Sequence, residues 1–272
     1  MDTVPLALYA AALILYVVHF ARRQSAVGRA ATTLLVGGVL AHTFVVGMRT
    51  MEVQHIPVTD SSSAISTFVL LLVLAYLYTE MTTEERAMGA FILPLAVALQ
   101  TIPALHPGVE ERSELLRGPL FGIHVSTLMF AYASFALACV IGITYVLLFK
   151  EIKAKHLGFF YSRLPSLQVL DTMNQRAIAV GWVCLTVGLS AGAVWAGQVA
   201  AEDARVRAMS LQDPKIAVAV LCWAIYSFEV FAARRIGWGG RRTAYLSAVG
   251  FAFVLLNFVP ISYFLTNSHD YF

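Results

Sequence analysis

Charge is scarce in this chain: 13% of its 272 residues are charged, against 59% hydrophobic. A soluble domain of this length cannot hide that much apolar surface, whereas a bilayer can. Cysteine is almost missing, and Cys139, Cys184 and Cys222 fall inside apolar runs with no C-x-x-C spacing. That argues against a redox pair or a thiolate metal site and leaves three small buried hydrophobes. No H-E-x-x-H occurs, which removes the usual zinc-protease reading. The first apolar run has no basic stretch before it. "MDTVP" is acidic and Arg22 and Arg23 follow the run, so it reads as a retained helix rather than a cleaved leader. Polar stretches long enough to fold alone are also lacking, as are internal repeats. Residues 1–272 therefore read as one integral membrane domain. The net charge of +3 is no argument for nucleic acid.

What is present is apolar length. About 20 mostly apolar residues span the hydrocarbon as a helix. Eight segments qualify, at 4–20, 28–48, 64–79, 87–104, 119–149, 177–198, 215–233 and 243–265. They are too continuous for barrel strands, and lipid tolerates only helices or closed barrels. The expected class is an all-α polytopic membrane protein with about eight transmembrane helices. With the N-terminus outside, the outer connections hold six of the 19 cations: Arg49, Arg112, Arg117, Arg205, Arg207 and Lys215. The inner connections hold the rest, as the positive-inside rule requires. Both termini are then extracytoplasmic. A surface helix is expected after Pro165 within the inner stretch 150–176. The longer polar loops, 49–64, 106–119 and 197–215, fall on the outer side, where binding chemistry tends to sit.

Of seven histidines, His19 and His156 lie at the inner surface on this topology, and His42, His55, His106, His124 and His269 at the outer end. An ionisable group in a membrane helix is costly and is a functional candidate by default. His124 sits a turn or more inside the fifth segment, and His269 just beyond the eighth, at a matching height. Two neutral imidazoles so placed can ligate a haem iron from opposite faces. The same placement also suits a hydrogen-bonded helix histidine and an unattached terminal one. His42, His55 and His106 share no ligand spacing.

Six stretches in order then become informative: "IHVSTLMFAYASF", "RLPSLQVLDTMNQRAIAVGW", "GLSAGAVWA", "DPK", "GWGGRRTAYLSAVGF" and "SHDYF". Over residues 119–272 the chain resembles the membrane proteins of cytochrome c assembly, the CcsA/CcmC-type haem-handling superfamily. "HIPVTDSSSAIS" is faintly similar to that family's outer loop. The resemblance implies a b-type, non-covalently held haem on the outer face. His124 and His269 would be its metal ligands, with Trp195 and Asp213 at the edges of the loop between the sixth and seventh helices. It implies presentation of haem to apocytochrome c for cytochrome c maturation, beside a second assembly membrane protein, in the plasma membrane of a bacterium. No catalytic residue is assigned, and the chain reads as a subunit of an attachment system rather than an enzyme on its own.

Two departures qualify that expectation. The family's loop is rich in tryptophan, but "GQVAAEDARVRAMSLQDPK" has none, so Arg205, Arg207 and Lys215 are left to pair with propionates. Phe231 stands where some relatives carry a histidine for a membrane-embedded haem, so no second haem is expected. Glu229 in that helix either snorkels toward Arg234 or faces the bundle. A regulatory, tetrapyrrole-linked relative without delivery activity is the alternative that the missing tryptophans favour. A transmembrane electron carrier using His19 and His156 as an inner pair is a third reading.

Overall fold

Helices form wherever the apolar runs predict them, and the polar residues at their ends fix where each starts and stops. The structure, a computed structural model, describes residues 2–109, 118–155, 158–199 and 214–256. Helix α1 is Thr3–Arg22, α2 Ser25–Val53, α3 Ser61–Thr83, α4 Gly89–Leu105, α5 Pro119–Lys153, α6 Leu167–Val199, α7 Pro214–Phe231 and α8 Arg241–Leu256. A π turn, Ala232–Ile236, continues α7. No strand occurs among the described residues. α1, α2, α3, α5, α6 and α7 with its π turn are long and apolar enough to cross a membrane; α4 is shorter and carries Pro94 and Pro103. The chain is an all-α polytopic membrane protein.

The caps are local chemistry. Asp60 precedes α3, and its carboxylate accepts from the amides of Ser62 and Ser63 at 2.8 and 3.1 Å. Pro119 opens α5, where its missing N–H costs nothing. The start of α8 is capped from another helix: Asp171 Oδ1 accepts from the Gly240 amide at 2.7 Å.

α5 is the central element and packs along α6, α8 and α3. With lipid as apolar as leucine, helix association depends on close fit and small residues. Phe135 of α5 stacks on Tyr226 of α7 at 3.5 Å, and a Cβ on Gly181 of α6 would lie 2.5 Å from the Phe135 ring. Gly142 lets α5 approach the backbone of Ala244 in α8. α7 runs antiparallel to α6, with Trp182 donating to Ser227 and Trp223 to Thr186.

One expectation needs correcting. The stretch after Pro165 is no separate surface helix but the first turns of α6. Its polar residues look solvated in sequence, yet Asn174 is buried and donates to Ser247 of α8 at 3.1 Å. Asp171 caps α8, so the polar face is spent inside the bundle. Glu229 is buried too: its carboxylate accepts from Ser247 Oγ at 3.0 Å and makes no ion pair with Arg234. Of its two expected positions, it takes the one facing the bundle.

Candidate haem-ligating rim

His124 stands between one and two turns into α5, against α6. Its Nδ1 lies 2.8 Å from the carbonyl oxygen of Gly188. A carbonyl can only accept, so Nδ1 carries the proton and donates it. In the neutral ring Nε2 then holds the free lone pair, the arrangement that second-sphere bonds impose on metal-binding histidines. Gly192, one turn beyond Gly188, faces the same ring, and a Cβ there would collide with it. Gly188, through its carbonyl, and Gly192, through its missing side chain, thus make a slot for the imidazole, whereas a Cβ on Gly188 would meet Thr127 and Leu128.

Aromatic side chains close the slot toward the helix ends. Trp195 is 8% exposed and packs on Phe121, ring centroids 5.3 Å apart. Trp195 lies one turn past Gly192, and Phe121 one turn before His124. Continuing the register of the Trp182–Ser227 and Trp223–Thr186 bonds brings Trp195 level with Pro214, where α7 begins. The sequence stretches on either side of the loop therefore meet at one height. The loop joining α2 and α3 arrives here as well, with Ile56 Cδ1 4.0 Å from the position of a Cβ on Gly122.

Lys215 falls in the first turn of α7. His269, Arg205, Arg207 and Asp213 lie outside the described residues, as does His156. Among the described residues, no three of His, Cys, Asp and Glu converge to hold a metal.

The other outer histidines are occupied differently. His42 is fully buried, with Nε2 2.9 Å from Ser66 Oγ and Nδ1 3.1 Å from the Tyr9 hydroxyl. Ser66 spends its only proton on Asp2 Oδ1 at 2.9 Å, so it accepts from His42 Nε2, and Nδ1 accepts from Tyr9. Asp2 is in turn ion-paired with Arg49. Every lone pair and proton of the His42 ring has a protein partner, which leaves none for a metal. His55 donates Nδ1 to the Ile56 carbonyl at 2.9 Å. His19 donates to the Gln24 carbonyl at 2.9 Å, which holds the turn between α1 and α2.

Sequence reasoning missed the glycine slot and the Tyr9–His42–Ser66–Asp2–Arg49 chain. The G-x-x-x-G spacing in "GLSAG" was a signal for the first. The chain needs the register of three helices, which no local pattern carries.

The geometry defines a class: a polytopic helical membrane protein with a ligation-ready imidazole and an aromatic pair at one rim of its bundle. Comparison with known proteins narrows that class. The family model described as "Cytochrome C assembly protein" matches residues 3–269. The chain belongs to this family, and the match extends well before residue 119, where the resemblance in sequence begins. A cytochrome c biogenesis protein CcsA of Guillardia theta is 24% identical over 249 residues, covering 84% of this chain and 81% of that protein. The CcsA of Prochlorococcus marinus (strain MIT 9303) is 24% identical over 297 residues, covering 98% and 92%. The CcsA of Gloeobacter violaceus is 23% identical over 287 residues, covering 86% and 83%.

Proposed function

We propose that the protein acts in cytochrome c maturation, holding haem at the His124 rim and presenting it to apocytochrome c. The observation that carries this reading is the bond from His124 Nδ1 to Gly188, which frees Nε2 as a ligand. Family membership supports the role, since the relatives are named for cytochrome c biogenesis. The residues present fit the group: an unprotonated imidazole nitrogen on a half-buried ring, with Trp195 and Phe121 as apolar neighbours. In this proposal His269 would be the second ligand. Arg205, Arg207 and Lys215 would engage the propionates, and Asp213 and Trp195 would complete the haem-binding set.

When bound, the haem supplies the vinyl groups that thiols of the recipient attack. The protein's own work is ligation, orientation and exclusion of water from one edge. On the proposed orientation the rim faces outward from a bacterial plasma membrane, and a second assembly membrane protein completes the attachment system.

Purified protein is expected to show a bis-imidazole haem absorption spectrum. His124→Ala and His269→Ala each remove it, with haem per chain falling by roughly tenfold or more, as loss of an axial ligand exceeds the usual cost of a second-sphere change. Unchanged spectra in both variants would overturn the ligand assignment.

One observation favours a second reading, a regulatory relative that keeps the scaffold without delivery. The loop 197–215 holds no tryptophan, so fewer aromatic faces are available for a porphyrin. Wild-type protein that is folded and haem-free after growth with added haem would support that reading.

A further inference from the structure

The opposite end of the bundle carries a second cleft with different chemistry. It lies between the end of α5 and the turn joining α7 to α8, has a volume of about 460 Å³, and is lined by Tyr145, Phe149, Trp238, Gly240, Arg241 and Arg242 among others. Two cations stand at its edge, each laid over a ring. The Arg241 guanidinium carbon is 5.2 Å from the Phe149 centroid, and that of Arg242 is 5.3 Å from the Trp238 centroid. Neither arginine pairs with an acid among the described residues. The rings hold both charges at fixed positions without neutralising them.

We propose that this cleft binds the phosphate of an anionic phospholipid from the adjoining leaflet. Three observations commit it to that occupant. The first is depth: Tyr145 follows His124 by 21 positions on one helix, a rise of about 32 Å and so the thickness of the hydrocarbon. The cleft therefore sits at the other membrane–water boundary, where headgroups are the local anions. The second is charge. Arg234 and Arg235 precede the turn and Lys150 lies near the end of α5, so the surroundings are cationic. The facing acid is already engaged: Asp171 accepts from Gly240 and Thr243 through Oδ1 and from Gln175 through Oδ2. Glu151 is likewise held by the amides of Phe160 and Tyr161. The third is continuity with lipid. Trp238 packs edge-on against the exposed Phe228, centroids 5.5 Å apart, and Phe231, a turn on from Phe228, and Tyr245, a turn on from Arg241, are exposed as well. A headgroup in the cleft would leave its acyl chains along that apolar strip, which a free phosphate has no use for. Basic pockets between membrane helices take anionic headgroups in this way.

The backbone contributes the shape. Gly237 and Gly240 hold φ of 72° and 61°, a left-handed conformation that side chains disfavour. A Cβ on Gly240 would also stand 2.5 Å from the Tyr145 hydroxyl and fill the floor.

The test uses the full chain in phosphatidylcholine nanodiscs with and without phosphatidylglycerol, read by native mass spectrometry for retained lipid. Wild type is expected to retain phosphatidylglycerol in preference to phosphatidylcholine, and excess inorganic phosphate does not displace it. Arg241→Gln/Arg242→Gln lowers that preference by roughly 30-fold, the effect of two cations near a membrane surface. Trp238→Ala, which keeps both charges, weakens it several-fold and serves if the double variant does not fold. Lys153→Gln leaves it unchanged. Equal retention by the arginine and tryptophan variants overturns the proposal. So does an equal loss in Lys153→Gln, which would mean diffuse surface attraction, or displacement by phosphate, which would mean a small-anion site.

Discussion

Gly192→Ala is expected to strip haem from the protein while leaving its helices intact. A helix interior favours alanine over glycine by about 1 kcal/mol, so α6 alone would gain. The added methyl, however, enters the space of the His124 ring. Either the ring swings away from Gly188 or the two helices part. Overpacking of this kind costs roughly 1–3 kcal/mol and outweighs the gain. The bond from Nδ1 to Gly188 then lengthens or breaks, and Nε2 loses its orientation. Disturbing a second-sphere partner lowers metal affinity by about 10- to 100-fold. Haem titration of the purified variant should show that loss, with unchanged or raised helicity by circular dichroism. Wild-type affinity in Gly192→Ala would mean that the slot does not position the ligand.

Glu80→Ala should be the most destabilising single change among the polar residues. Glu80 is 1% exposed near the end of α3, yet three groups from outside that helix meet it. Tyr16 of α1 donates to Oε2 at 2.7 Å, and Thr32 of α2 donates to Oε1 at 2.5 Å. Arg86, in the turn before α4, stands 3.6 Å from Oε1 and donates to Thr32 Oγ1 at 3.2 Å. One carboxylate thus ties α1, α2 and α3 to the start of α4. Its removal takes from the buried Tyr16 hydroxyl its carboxylate acceptor, returns the part-buried Thr32 hydroxyl to the Gly28 carbonyl alone, and leaves Arg86 without its acid. Breaking a buried pair costs about 3–5 kcal/mol, and the partial exposure of Arg86 places this case near the lower figure. Glu80→Gln keeps an acceptor and should lose about half as much. Unfolding in detergent mixtures measures both. Haem affinity of the surviving folded fraction should stay at the wild-type value, because the cluster lies at the far end from His124. A midpoint unchanged in Glu80→Ala would show that the cluster is not holding these helices.

The two variants mark what sequence reading reaches. Apolar run length determines the helices, because a bilayer punishes any other backbone arrangement, and a helix lies in each of the eight expected segments, described to residue 256 in the last. His124 is legible for a similar reason, being a costly residue one or two turns inside an apolar helix. The start of α6 at Leu167 is not legible, since Asp171, Asn174 and Gln175 look solvated until α8 is placed beside them. The slot at Gly188 and Gly192 is legible only as a spacing, and its occupant depends on the register of α5 against α6. His42 shows the reverse case. Like His124 it is an ionisable residue inside an apolar run, though without ligand spacing, and hydrogen bonds to Tyr9 and Ser66 from other helices consume both nitrogens.

Electron paramagnetic resonance of the ferric, haem-loaded protein addresses the imidazole ligand most directly. Wild type should give one low-spin signal of a bis-imidazole iron, replaced in His124→Ala by a high-spin signal or by no haem signal at all. A low-spin signal that persists unchanged in His124→Ala would contradict ligation through Nε2 and remove the basis for haem at this rim.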